Sequence, residues 1–131
     1  MKIAVDTNVL VRVAVRDDPK QTDAATRAMD KAEILAIPVP SLCEFVWVMR
    51  RVYRFKAAEI AVAMRTLLAA ENVETNRPMV EAGLAMLDAG GDFADGAIAY
   101  EGRWLGADTF VSFDKKAAEK LKELGIAVRL L

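Results

Sequence analysis

Residues 2–15 read KIAVDTNVLVRVAV, and the break inside this stretch decides the fold. Lys2 to Val5 is short, apolar and β-compatible, Asp6-Thr7-Asn8 interrupts it, and the apolar-rich Val9 to Val15 follows, so the chain opens as strand, turn, helix. The alternation continues. Asp17-Asp18-Pro19 reads as a turn, Gln21 to Lys31 as a helix, Ile34 to Val39 as a buried strand ending at Pro38 and Pro40, and Ser41 to Tyr53 as an amphipathic helix. Lys56 to Ala70 is a strong helix former and Asn72 to Thr75 a short strand. Pro78 suits the first turn of a helix that runs to Ala89 and stops at Gly90-Gly91. A helix over Phe93 to Leu105, a strand over Thr109 to Phe113, a helix over Lys115 to Leu124 closed by Gly125 and a last strand over Ile126 to Leu130 complete the chain. Such alternation predicts an α/β fold in three layers, a mostly parallel sheet flanked by helices, and 131 residues suit a single domain over 1–131.

Composition narrows the chemistry. With no histidine and one cysteine, Cys43, the chain cannot build a Ser-His-Asp or Cys-His site, a disulfide within itself or the common zinc sites. Hydrolysis must then run on carboxylates, lysine or a hard metal held by oxygens. The 18 basic and 19 acidic residues nearly cancel, so nucleic acid would have to be met by a local patch. No run approaches a membrane span, and Asp6 cuts short the apolar stretch after Lys2 that would otherwise resemble a signal peptide, so a cytoplasmic protein without membrane partners is expected.

In parallel α/β sheets, ligands bind outside the carboxyl ends of the strands, so acids just after strands are the ones to collect. They are Asp6, Glu44 in the first turn after the second strand, Asp95 with Asp92 after Gly90-Gly91, and Asp114 after Phe113. Carboxylates assembled together repel unless a cation neutralises them, and oxygen-only ligands select Mg²⁺ or Mn²⁺. Each acid also has a plainer reading. Asp6 suits an Asx-turn, Ser41-Leu-Cys-Glu44 a capping box, and Asp92 and Asp114 helix N-caps, with Asp95 a favourable first-turn charge. Asp92 and Asp95 share a helix face at i,i+3 if the helix has begun by Asp92.

The joint pattern is more specific than its parts. VDTNVL (residues 5–10), SLCEFVWVM (41–49), GGDFADGAIAY (90–100) and VSFDKKAAEKL (111–121) resemble, in order and spacing, the signature of PIN domains, particularly the VapC-type toxins of toxin–antitoxin pairs. The resemblance implies a metal-dependent endoribonuclease using Mg²⁺ or Mn²⁺, with Asp6, Glu44, Asp95 and Asp114 as catalytic, metal-holding acids. It also implies products with 5′-phosphate and 3′-hydroxyl ends, a small antitoxin partner and a homodimer. Asp95-Gly-Ala-Ile-Ala looks like the family's Asp-Ala-x-Ile-Ala, with Gly96 where alanine is usual. Asp92 then looks like an accessory acid, and Asn8 and Ser112, the latter where threonine is common, resemble supports that orient Asp6 and Asp114.

For the RNA substrate the candidate patch is Arg50, Arg51, Arg54 and Lys56, with Tyr53 and Phe55 interleaved where bases would stack. Arg12, Arg16, Lys115 and Lys116 are further candidates, and an ordinary solvated helix face explains all of them as well. Trp47 and Trp104 lie in apolar helical patterns and read as buried or interfacial anchors, and Phe45, Trp47 and Val48 suit an interface or the core equally. Two other phosphoryl-transfer folds place acids at strand ends, but a haloacid-dehalogenase-like phosphatase wants aspartate where Asn8 stands, and a receiver domain's paired early acids and late lysine are not evident. The remaining alternatives are a PIN-domain nuclease of RNA processing outside toxin–antitoxin systems and a PIN-like binding module that has lost catalysis.

Overall fold

The computed structural model describes all 131 residues, in two compact units, Met1–Asn76 and Arg77–Leu131. In the first unit the strand–turn–helix opening forms as β1 (Lys2–Ala4) and α1 (Thr7–Val15), and α2 (Pro19–Lys31) leads to β2 (Ile34–Ala36). α3 (Val39–Arg51), α4 (Ala57–Leu68) and β3 (Val73–Glu74) complete it. The strands pair in parallel in the order β1-β2-β3, with Ile3 opposite Leu35 and Leu35 opposite Val73. Each helix turns an apolar stripe inward. In α3 that stripe is Val39, Leu42, Val46 and Met49, at the i, i+3, i+7, i+10 spacing of one helical face.

The second unit holds α5 (Arg77–Asp88), α6 (Phe93–Trp104), β4 (Phe110–Ser112), α7 (Lys115–Glu123) and β5 (Val128–Leu130), with β4 and β5 parallel. Met86, Ala99 and Leu121 form a buried cluster against which Phe110, Ile126 and Val128 pack. α5 and α6 approach closely because two glycines leave room. A Cβ on Gly83 would lie 2.5–2.8 Å from three carbons of the buried Phe93 ring, and one on Gly96 would strike the backbone carbonyl of Ala82 and come within 2.9 Å of Met86 Cγ. The departure from the usual alanine at Gly96 thus has a packing cause.

The α/β class with parallel strands is as the sequence predicts, while several boundaries move. The strands are shorter than expected, and they form one three-stranded and one two-stranded sheet. α2 begins at Pro19 rather than Gln21, because the Asp18 carboxylate caps the Gln21 N–H at 3.1 Å and proline suits a first helical turn. α3 begins at Val39, which was expected to end a strand. Pro38 is its N-cap and Pro40 sits in the first turn, where a missing N–H costs nothing.

Candidate active site

Asp6 follows β1 and caps α1, its Oδ1 accepting from the Val9 N–H at 3.4 Å. Asn8 is exposed and forms no hydrogen bond with Asp6. Its neighbour Thr7 does what the sequence left unassigned. Thr7 is buried, and its hydroxyl lies 3.3 Å from Glu44 Oε2 and 3.5 Å from the Ser41 carbonyl oxygen. Ser41 in turn donates to the Val5 carbonyl at 3.2 Å. The capping box expected for Ser41 and Glu44 therefore does not form. With α3 starting two residues earlier, both side chains are inside the helix and reach across to the end of β1. Glu44 is thereby tethered to the residue after Asp6, by a contact that spans 37 positions of sequence and carries no local signal.

In the second unit Asp92 caps α6, its Oδ1 accepting from the Ala94 N–H at 3.3 Å. Asp114 caps α7, its Oδ1 accepting from the Ala117 N–H at 3.0 Å. Ser112 supports Asp114 through the main chain, its Oγ accepting the Asp114 N–H at 2.9 Å. Asp95, in the first turn of α6 and half-buried, accepts no hydrogen bond and has no ion-pair partner. Burial first, then the charges of Asp92 and Asp114, hold its carboxyl above the usual carboxylate range. A group of like charges that raises the cost of ionising its most buried member is what a hard cation relieves. The donors Asp92, Asp95 and Asp114 are all oxygens, the chemistry that suits Mg²⁺ or Mn²⁺. No three acidic or sulfur side chains are already closed into a metal cage.

The basic residues divide. Arg12 is committed, its guanidinium bonding Asp17 Oδ1 at 2.8 Å and the Tyr53 hydroxyl at 2.9 Å, while Tyr53 donates to Asp17 Oδ2 at 3.3 Å. The tyrosine hydrogen bond and the Asp17 charge hold the guanidinium above its ordinary range. Tyr53 is therefore part of a knot joining α1 to the end of α3, and is not a free stacking platform as its spacing implied. Arg50, Arg51, Arg54 and Lys56 are exposed and unpaired, with Arg50 and Arg51 in the last turn of α3, where cations also complement the helix dipole. Neither tryptophan is buried: Trp47 is 58% and Trp104 75% exposed. Phe45, by contrast, is wholly in the core.

The model of the PIN domain matches residues 3–124, nearly the whole chain and both units. The chain belongs to the PIN-domain family. PIN domains are generally nuclease domains that bind RNA and use divalent metals, and the α/β fold of this one is the family's. No curated protein matches the chain significantly. No helix is long and apolar enough to cross a membrane.

Proposed function

We propose that this PIN-domain protein is an endoribonuclease dependent on Mg²⁺ or Mn²⁺, and the toxin of a type II toxin–antitoxin pair. The observation that carries the nuclease reading is the half-buried Asp95 carboxyl, raised by burial and then by the charges of Asp92 and Asp114 and given no protein donor, an arrangement costly by itself and favourable around a hard cation. The motif order supports the toxin subtype, with a small antitoxin and a second copy of the chain as partners. The exposed Trp47 and Trp104 are the kind of side chain that an interface would cover.

By the family resemblance Asp6, Asp95 and Asp114 would hold the metal, which would supply charge stabilisation at the phosphate and a more acidic bound water. Asp92 is an accessory acid beside them. Glu44 orients the attacking water and accepts its proton, with Oε2 held by Thr7 and Oε1 free of protein donors. Attack at phosphorus breaks the bond to the 3′ oxygen, which leaves as a hydroxyl after taking a proton, and the phosphate stays on the 5′ oxygen of the downstream nucleotide. Arg50, Arg51, Arg54 and Lys56 would contact the phosphates of the RNA backbone.

The test is purified, partner-free protein with structured RNAs including tRNA, in Mg²⁺ or Mn²⁺ against EDTA. Metal-dependent cleavage leaving 5′-phosphates is the expected result, and intact RNA from folded, metal-loaded protein would defeat the nuclease reading. Thr7 gives a finer expectation. Thr7→Val keeps the shape and removes the hydroxyl, and should slow turnover by about 10- to 100-fold, the usual effect of losing an outer support of a metal site. Thr7→Ser should stay close to wild type. Equal turnover in Thr7→Val would show that Glu44 needs no tether.

A further inference from the structure

We propose that Phe113 is a stacking platform that seats an unpaired RNA base beside Asp114, with Lys115 and Lys116 holding the neighbouring phosphates. This rests on the nuclease reading for the role of Asp114.

Phe113 is 82% exposed, among the most exposed large apolar side chains of the protein, although it adjoins the two-stranded sheet of the second unit. Local structure does not account for that exposure. The residue stands just before the N-cap of α7, where an apolar side chain ordinarily folds onto the fourth helical position. That position is Ala118, which is buried without it. Phe110 already packs on the core from the other end of β4. Phe113 is therefore surplus to both the helix start and the core.

The two residues after Asp114 also run against local stability. Lys115 and Lys116 occupy the first turn of α7, where the helix dipole disfavours cations, and both are exposed with no ion-pair partner. An exposed ring, a carboxylate and two uncommitted ammonium groups thus occupy four consecutive positions. A flat apolar face next to paired cations complements a single-stranded polyanion, whose bases stack on aromatic rings while its phosphates meet lysine. Continuity with Asp114 places that strand at the proposed centre. A protein partner of the ring is the alternative that the experiment separates.

The experiment uses the full chain and labelled single-stranded RNA oligonucleotides of mixed sequence, with Ca²⁺ in place of Mg²⁺ during binding and Mg²⁺ restored for turnover. Phe113→Ala should weaken binding and raise KM about fivefold to a hundredfold, the range for losing one base–aromatic stack, with little change in kcat. Phe113→Trp should restore affinity and show fluorescence quenching when RNA binds. Replacing both lysines by alanine should flatten the dependence of log affinity on log salt by about 1.4, from roughly 0.7 per phosphate contact on a single strand. Val62→Ala, an exposed apolar side chain on α4, serves as the control and should bind as wild type. Unchanged affinity and KM in Phe113→Ala, with wild type cleaving, would overturn the platform and leave the nuclease reading intact. Binding that depends on Phe113 without any cleavage would do the reverse. A wild type that neither binds nor cleaves single-stranded RNA would overturn the platform, and the nuclease reading would then be decided by the structured RNAs.

Discussion

Asp95→Asn is expected to lose at least about a hundredfold of metal-dependent RNA cleavage while its metal-free fold is as stable as wild type at neutral pH, or more so. The loss follows from removing a proposed metal-holding charge, since even outer supports of metal sites are worth about 10- to 100-fold. The stability follows from the raised carboxyl of Asp95. The folded state binds this proton more tightly than the unfolded chain does, so between the unfolded value near 3.8 and the higher folded value it carries more protons. Stability contributed by Asp95 is therefore present at low pH and falls as pH rises through that window, after which the fold carries the cost of the charge. Asparagine has no proton to lose. Denaturant melts of both proteins across the acid range should show the variant gaining on wild type as pH rises, and added Mg²⁺ should stabilise wild type more than the variant. A variant that is less stable than wild type throughout, without metal, would contradict the crowding account; full cleavage by the variant would remove Asp95 from the site.

Gly96→Ala is expected to destabilise the protein, even though alanine is usual at this position of the motif and the better helix former. Propensity alone favours alanine by about 1 kcal/mol in a helix interior. Against that stands a Cβ driven into the Ala82 carbonyl, part of the α5 backbone and unable to rotate away, with Met86 Cγ 2.9 Å off. Overpacking a tight site costs about 1–3 kcal/mol, and a rigid obstacle puts the net effect on the destabilising side. Net of the propensity gain this leaves up to about 2 kcal/mol, so the melting temperature should fall by up to roughly 8 °C, at about 4 °C per kcal/mol for a chain of this size. Gly96→Val should be worse. A melting temperature for Gly96→Ala at or above wild type would show that α6 moves off α5 freely.

The parts of this fold that the sequence reveals are those decided within a few residues. The strand-to-helix break at Asp6, the stop at Gly90-Gly91 and the capping roles of Asp92 and Asp114 all rest on local backbone chemistry, and all form, while Asp6, expected in an Asx-turn, caps α1. The prolines at 38 and 40 were harder, because proline ends a strand and starts a helix equally well, and which it does here set the fate of Ser41 and Glu44. Trp47 was read with its apolar neighbours, but it follows Val46 by one position and so points about 100° away from the buried stripe of α3. The Thr7–Glu44 tether, the Arg12–Asp17–Tyr53 knot and the contact that forbids a Cβ on Gly96 join residues far apart in sequence, and no local pattern announces them. The four acids stand out in sequence because the motifs carry them in order, while the tether on Glu44 exists only once the fold brings Thr7 to it.

The double duty proposed for Asp6, Asp92 and Asp114 bears on how this gene would tolerate damage. Each carboxylate also closes the first turn of a helix, a role asparagine fills as well as aspartate and alanine fills worse by about 1 kcal/mol. Losses of that size are enough to change steady-state abundance several-fold in a cell. If these acids carry the proposed chemistry, inactive alleles at their codons fall into two kinds: asparagine alleles that accumulate as intact protein, and alanine alleles whose phenotype mixes absent chemistry with missing protein.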